Sequence, residues 1–181
     1  MRTRSFLLAF LAGMLIMSCS SKDKVKDNIS KMTEKAVLID SGKMKTWLPD
    51  SALAHGEKKA FTLVVFADST QCSPCFINGL KEWNDMLAME QDKKGNVRFL
   101  FIIEPRKGDE TLLREKLQES GFKHPVLIDG KSLFRNANPH IPQEMLYHTF
   151  LLDRENRIVL VGNPLHNEQV RKLLYQRLKS V

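Results

Sequence analysis

Two cysteines, Cys72 and Cys75, are separated by only a serine and a proline in the segment Cys72-Ser73-Pro74-Cys75. A disulfide between them would close almost no loop, whereas a disulfide stabilises a fold most when it closes a long one. In an oxidising compartment, a lone pair at this spacing is therefore typical of thiols that alternate between dithiol and disulfide. Metal binding is the alternative chemistry for these cysteines. The sequence has no second Cys-x-x-Cys and no His-x-x-x-His to complete a closed zinc site, so we predict no metal and no cofactor.

The elements on either side of the pair must position it. A continuous apolar run over Phe61–Ala67 predicts a strand buried on both faces. After the pair, apolar residues recur at helical spacing, at Phe76, Leu80, Trp83 and Leu87. Cys72 would then stand at a helix N-terminus, where free N–H groups and the helix dipole favour a thiolate, and Pro74 suits the first turn. We therefore predict that Cys72 is the exposed nucleophile and that Cys75, one turn in, is shielded and resolves the mixed disulfide.

The rest of the pattern alternates between strand and helix. Further strands are predicted at Val97–Ile103, Pro125–Ile128, Thr149–Leu152 and Arg157–Val161, with edge strands within Ala36–Trp47. Helices are predicted from Asp109 to Gly121, briefly around Leu133, and from Asn167 onward. This order predicts an α/β fold in which a mixed central sheet lies between two layers of helices.

The N-terminal segment indicates export. Arg2 and Arg4 precede an apolar run over Phe6–Met17 that is too short for a membrane span, which needs ~20 residues. Ile16-Met17-Ser18-Cys19 resembles a bacterial lipobox, in which the cysteine is lipidated. We predict a signal peptide over residues 1–18, lipidation of Cys19, a polar tether over residues 19–35, and one folded domain over residues 36–181. The chain would be anchored in the cell envelope and face the periplasm or the exterior; an ordinary secretory signal or a signal anchor is the alternative.

The charge pattern argues against nucleic-acid binding. Cleavage after residue 18 would remove two arginines and no acid, and would lower the net charge from +7 to +5. The remaining basic residues are interleaved with acids, as in Arg114-Glu115-Lys116, without a basic block or interleaved aromatics. Such a pattern is typical of a solvated surface.

The predicted strand, the short loop with Cys-x-Pro-Cys and the long helix resemble the thioredoxin fold. The segments Phe122–Asp129 and Thr149–Val159 more narrowly resemble the TlpA- and ResA-type oxidoreductases, which are membrane-anchored or periplasmic. The resemblance covers roughly residues 60–178. It implies a thioredoxin-like three-layer α/β/α fold. It further implies a thiol–disulfide oxidoreductase whose partners are protein thiols and disulfides and an upstream reductant.

The resemblance also implies a cis-proline opposite the cysteines, three residues before Phe150, but Tyr147 stands there. A cis bond before a residue other than proline costs ~2.5–4 kcal/mol, so we predict a trans bond. Ser73, Pro74, Tyr147 and His148 are predicted to line the substrate groove. The alternative for Tyr147 and His148 is that they pack at a strand edge.

Glu104 is the third candidate catalytic residue, after the two cysteines. It directly follows the predicted strand Val97–Ile103, so it could lie near the cysteine pair and relay the proton released on thiol attack. The alternative is an exposed acid paired with Arg106 or Lys107. The strand before Cys72 lacks the buried acid that thioredoxin itself carries there.

Two other functional classes stay open. A peroxiredoxin-like peroxidase shares the fold, but peroxidases activate their cysteine with a Pro-x-x-x-Thr-x-x-Cys arrangement. Here Ser69 stands at the threonine position and the proline is absent. A non-enzymatic binding module with the disulfide as a latch is the other class, and the missing cis-proline keeps it open.

Overall fold

The computed structural model describes residues 22–47, 59–91 and 96–180. Six strands of this part form one sheet in the order β1-β4-β3-β2-β5-β6. They are β1 (Lys45–Trp47), β2 (Phe61–Ala67), β3 (Val97–Ile103), β4 (Val126–Ile128), β5 (Thr149–Leu152) and β6 (Ile158–Val161). Strands β2, β3 and β4 are parallel, whereas β1, β5 and β6 each run antiparallel to their neighbours. The predicted mixed sheet is confirmed.

The two central strands pair over their whole length, from Phe61 opposite Val97 to Ala67 opposite Ile103. Both are apolar at almost every position, and six of the seven residues in each are buried. Such runs are expected where helices cover both faces of a parallel pair. Because parallel strands end at the same edge, the loops after β2, β3 and β4 meet there.

The helices are α1 (residues 22–33), α2 (Ser73–Gly79), α3 (Asn84–Gln91), α4 (Glu110–Ser120), α5 (Leu133–Ala137) and α6 (Glu168–Lys179). A 3-10 turn over Leu80–Trp83 joins α2 to α3, so the helix predicted after Cys72 is interrupted. Gly121 ends α4 with a φ of 64°, a conformation that glycine adopts easily. Asn167 caps α6 by accepting hydrogen bonds from the backbone N–H groups of Gln169 and Val170 at 3.0 and 3.1 Å.

Two hydrophobic clusters lie on opposite faces of the sheet. On one face, Leu63 and Val65 of β2 pack with side chains of α2, α3, α4 and α6. On the other face, Val64 and Phe66 pack with side chains of α1 and α5. The fold is thus the predicted three-layer α/β/α arrangement.

Helix α1 lies within the segment for which the sequence predicts a polar tether. Its residue Met32 is fully buried, and Lys24 forms an ion pair with Glu144 at 3.2 Å. Val25, Ile29 and Met32 follow one another at spacings of four and three, which is the apolar stripe of a helix docked on a core. Residues 22–33 therefore belong to the folded unit, which begins earlier than residue 36.

The predicted signal peptide over residues 1–18 and the lipidation at Cys19 lie outside the described residues. None of the helices in the described ranges has both the length and the apolar character that a membrane crossing requires.

Candidate active site

The loop between β2 and α2 carries a disulfide between Cys72 and Cys75, whose Cα atoms are 5.2 Å apart. Cys72 is the N-cap of α2, and its Sγ accepts a hydrogen bond from the backbone N–H of Cys75 at 3.3 Å. Pro74 lies in the first turn, where its missing N–H leaves no helical hydrogen bond unmade. The structure therefore places Cys72 at the helix N-terminus, as the sequence predicts.

Both cysteines are exposed, whereas Ser73 between them is buried. The predicted shielding of Cys75 is wrong, because its side of the first helical turn borders an open groove. Ser73 and Pro74 face away from this groove, toward Leu112 and neighbouring residues of α4. The substrate-groove role predicted for Ser73 and Pro74 thus has no support in the position of their side chains.

The groove beside Cys75 has a volume of about 580 Å³. Its walls come from α1, the first turns of α2, the segment 145–149 and the connection from β6 to α6. Three of its apolar residues are unusually exposed: Val25 at 37%, Met145 at 66% and Leu146 at 53%. An apolar surface next to an exposed disulfide is suited to contact with another polypeptide.

Tyr147 does not line this groove. It is 2% exposed and belongs to the hydrophobic cluster on the α1 face of the sheet. Its hydroxyl accepts a hydrogen bond from Asn28 Nδ2 of α1 at 3.0 Å. Every peptide bond in the described ranges is trans, including the bond before Tyr147. Tyr147 therefore docks α1 onto the core, which matches the packing alternative.

His148 does line the groove, although only 2% of it is exposed. Its Nδ1 lies 3.0 Å from Gln71 Nε2, and its Nε2 lies 3.0 Å from the carbonyl oxygen of Pro142. Burial lowers the pKa of His148, which the Pro142 carbonyl and the Asp68 charge only partly offset. His148 therefore contributes a neutral ring to the groove, and the hydrogen bond to Gln71 joins it to the loop that ends at Cys72.

A buried acid, Asp68, follows β2 directly and is 1% exposed. Its Oδ1 accepts hydrogen bonds from the backbone N–H of Thr70 at 3.0 Å and from the Thr70 hydroxyl at 2.6 Å. Its Oδ2 forms an ion pair with Arg135 Nη2 of α5. Burial alone would raise the pKa of Asp68, but the Thr70 hydrogen bonds and the charges of His148 and Arg135 hold it below its usual range. Strand β2 itself contains no acid, as the sequence indicates, but a buried acid follows it at Asp68.

Glu104 joins the same cluster from the end of β3 and is 5% exposed. Its Oε1 accepts hydrogen bonds from Ser132 at 2.7 Å and Ser69 at 3.2 Å, and its Oε2 lies 3.4 Å from Arg135 Nε. The alternative of an exposed acid paired with Arg106 or Lys107 is wrong, because Glu104 is buried and its cation is Arg135. A proton relay from the cysteines through Glu104 stays a prediction.

Comparison with known proteins identifies the fold of this chain. No family model and no curated protein matches the chain. A thioredoxin-like protein solved in its oxidised form matches with a TM-score of 0.51 and 17% identity, over 80% of this chain and 95% of that one. The fold is thioredoxin-like.

Two further similar structures have lower TM-scores. The thioredoxin domain of a thiol-disulfide oxidoreductase from Bacteroides vulgatus has a TM-score of 0.47 and 16% identity, over 67% of this chain and 81% of that one. The bacterioferritin comigratory protein of Xanthomonas campestris, whose alkyl peroxide reduction activity has been studied, has a TM-score of 0.44 and 17% identity, over 69% and 82%. The likeness at these identities is one of fold alone.

Sequence reasoning missed three residues of this site: Asp68, Gln71 and Arg135. Asp68 carried a usable signal, because an acid just after a buried strand and two residues before a threonine is typical of a turn closed by its own carboxylate. Arg135 carried none, since 67 positions separate it from Asp68 along the chain.

The native fold is expected to lose stability on acidification in two steps. In the unfolded chain His148 takes up a proton below about pH 6.5, whereas its lowered pKa keeps it neutral when folded. Asp68 likewise keeps its charge when folded at a pH, about 3.9, where an unfolded aspartate is half protonated. In both windows the unfolded chain binds more protons, so its free energy falls relative to the folded state as the pH falls.

Urea unfolding at a series of pH values measures these steps. His148→Asn should reduce the upper step, to which the lowered pKa of His140 also contributes. Asp68→Asn should reduce the lower step, to which the lowered pKa values of Glu110 and Glu144 also contribute. A wild-type free energy of unfolding that is level between about pH 7 and pH 5 would contradict the contribution of His148.

Proposed function

We propose that this protein is a thiol–disulfide oxidoreductase that acts on protein substrates outside the cytoplasm. The observation that carries the proposal is the exposed Cys72–Cys75 disulfide at the N-terminus of α2. It links residues within one helical turn and so adds little to stability, yet both its cysteines face solvent. A disulfide with that exposure is accessible to a partner thiol.

The proposed reaction starts from the reduced dithiol. The Cys72 thiolate attacks one sulfur of a substrate disulfide, forms a mixed disulfide and releases the other substrate sulfur as a thiolate, which takes up a proton. The Cys75 thiolate then attacks Cys72 Sγ, releases the second substrate thiol and leaves the Cys72–Cys75 disulfide. Two electrons thus pass to the substrate, and a dithiol reductant returns them by the reverse exchange.

Cys72 is assigned as the attacking residue because it caps α2. Its sulfur accepts the backbone N–H of Cys75 at 3.3 Å, and hydrogen bonding to the charged form favours a thiolate. The exposure of Cys75 means that selectivity between the two sulfurs rests on this stabilisation and not on shielding.

The peroxidase alternative has weaker support. In the sequence, Ser69 stands where peroxidases have the threonine that activates the cysteine. Its hydroxyl donates instead to Glu104 Oε1 at 3.2 Å.

We propose further that the chain is exported and anchored through lipid on Cys19, with the oxidoreductase domain facing the periplasm or the exterior. The sequence of residues 1–19 supports this proposal. Radiolabelled palmitate incorporated into the full chain and lost in Cys19→Ala would test it. Incorporation that survives this substitution would exclude Cys19 as the lipidated residue.

The protein lacking residues 1–19 is expected to catalyse the reduction of insulin by dithiothreitol, followed as turbidity. The matched control is the same chain after alkylation of its reduced cysteines, which blocks both sulfurs and leaves the rest unchanged. Rapid peroxide consumption without insulin reduction would instead identify a peroxidase. Inactivity in both assays would favour the non-enzymatic binding module over either enzyme.

A further inference from the structure

Gln71, the residue before Cys72, joins the two loops that border the groove. It is 9% exposed, and its side-chain Nε2 lies 3.0 Å from His148 Nδ1. Its backbone N–H donates to the carbonyl oxygen of Asp68 at 3.1 Å. On the opposite side of the imidazole, His148 Nε2 lies 3.0 Å from the carbonyl oxygen of Pro142. Both nitrogens of this buried ring are therefore engaged.

These contacts determine where the hydrogen of the neutral ring lies. A carbonyl oxygen only accepts hydrogen bonds, so His148 Nε2 must carry the hydrogen and donate it to Pro142. In a neutral imidazole the other nitrogen is then an acceptor. The Gln71 amide must therefore donate through its Nε2 to His148 Nδ1.

Protonation of His148 would break this arrangement. A proton on Nδ1 would face the NH₂ group of Gln71, and the amide would have to turn its oxygen toward the ring. The ring is also packed against Phe66, with centroids 5.1 Å apart. The charged groups around it are Asp68 and Glu144, which raise the pKa of His148, and Arg135, which lowers it together with burial.

We propose that Gln71 is a positioning residue that holds His148 neutral and protonated on Nε2, and that it thereby sets the redox equilibrium of the Cys72–Cys75 pair. The second half of this proposal rests on the proposed oxidoreductase function. His148 and Cys75 line the same groove. An imidazolium there would stabilise a cysteine thiolate and with it the reduced protein, which a neutral imidazole does not do. Gln71 therefore favours the disulfide over the dithiol.

The test replaces Gln71 by methionine, which has nearly the same length and donates no hydrogen bond. The fraction of reduced protein is measured in glutathione buffers at about pH 5.5 and about pH 7.5, on either side of the usual histidine pKa. We expect the equilibrium constant of Gln71→Met to shift several-fold toward the dithiol at the lower pH, beyond any shift in the wild type. Gln169→Met, on the exposed face of α6, is the matched control and should behave as the wild type does.

Two further measurements separate this role from a merely structural one. In the His148→Asn background, Gln71→Met should have no pH-dependent effect on the equilibrium. The ¹⁵N signals of the His148 ring should report one neutral tautomer in the wild type and a titrating ring in Gln71→Met. If Gln71→Met does not fold, Gln71→Glu keeps the length, and its carboxylate should accept a hydrogen bond from Nδ1 and raise the pH at which His148 titrates.

The proposal is overturned if the His148 ring stays neutral down to about pH 5.5 in both Gln71→Met and Gln71→Glu, or if the ring titrates in these variants while the glutathione equilibrium is unchanged. Neither readout requires a protein substrate. Failure of insulin reduction would therefore count against the proposed function alone.

Discussion

Replacing Cys72 by serine is expected to abolish insulin reduction, and replacing Cys75 by serine is expected to trap substrates covalently. Without Cys72 the chain lacks the sulfur whose thiolate is stabilised at the N-terminus of α2, so the rate should fall to the uncatalysed level. Without Cys75 the mixed disulfide on Cys72 still forms, but no neighbouring thiol resolves it. The trapped adducts would identify the partners directly.

The trapping experiment is made with the full chain in its host, followed by non-reducing gels and mass spectrometry. Three variants serve as a matched set. Cys75→Ser should give adducts that a reductant releases, the Cys72→Ser/Cys75→Ser double variant should give none, and Cys72→Ser should give far fewer than Cys75→Ser. Because both cysteines are exposed, the last comparison tests the assignment of the nucleophile. Equal trapping by the two single variants would contradict the assignment to Cys72.

Replacing Arg135 by methionine is expected to lower the free energy of unfolding by about 3–5 kcal/mol, the range for breaking a buried ion pair on one side. Arg135 is the cation for both Asp68 and Glu104, and these carboxylates have side chains that are 0% and 6% exposed. Its guanidinium carbon also lies 5.5 Å from the centroid of the Phe66 ring. Without Arg135, the two buried carboxylates would lose the positive charge that they share.

Urea unfolding measures this loss. The matched control is Arg154→Met, on an exposed turn. Its free energy of unfolding should stay within about 0.5 kcal/mol of the wild type. The loss should shrink as the pH is lowered, because protonation of Asp68 removes a charge that Arg135 neutralises. A loss below about 1 kcal/mol would mean that the pair behaves as a solvent-screened surface ion pair.

Local pattern predicted the elements that hold the disulfide. The almost wholly apolar runs of β2 and β3 are found as paired central strands with the predicted bounds. Cys72 caps α2, and the glycine at position 121 and the asparagine at position 167 end and begin their helices where expected. Each of these predictions rests on residues within a few positions of one another, where sequence spacing and spatial proximity coincide.

The surroundings of the disulfide could not be predicted in the same way. The polar composition of residues 22–33 does not predict that α1 docks on the domain. The docking depends on Met32, which is buried in the core, and on the hydrogen bond between Asn28 and Tyr147, which are 119 positions apart in the sequence. Counting back from Phe150 gives the position of Tyr147 along the chain. It does not show that the Tyr147 side chain points to α1 and away from the groove.

The spacing of Cys72 and Cys75 by one helical turn, behind a buried strand and at a helix N-terminus, follows from the amino-acid sequence alone. Covalent spacing and the periodicity of apolar residues suffice for that, because both act over short stretches of chain. The exposure of both cysteines, by contrast, depends on the packing of the whole fold. So do the sharing of Arg135 by Asp68 and Glu104 and the contact of Gln71 with His148. The contacts of Arg135 and Gln71 join residues 31 to 77 positions apart. They exist because the parallel strands end at one edge of the sheet, where packing of the two helical layers brings their loops together.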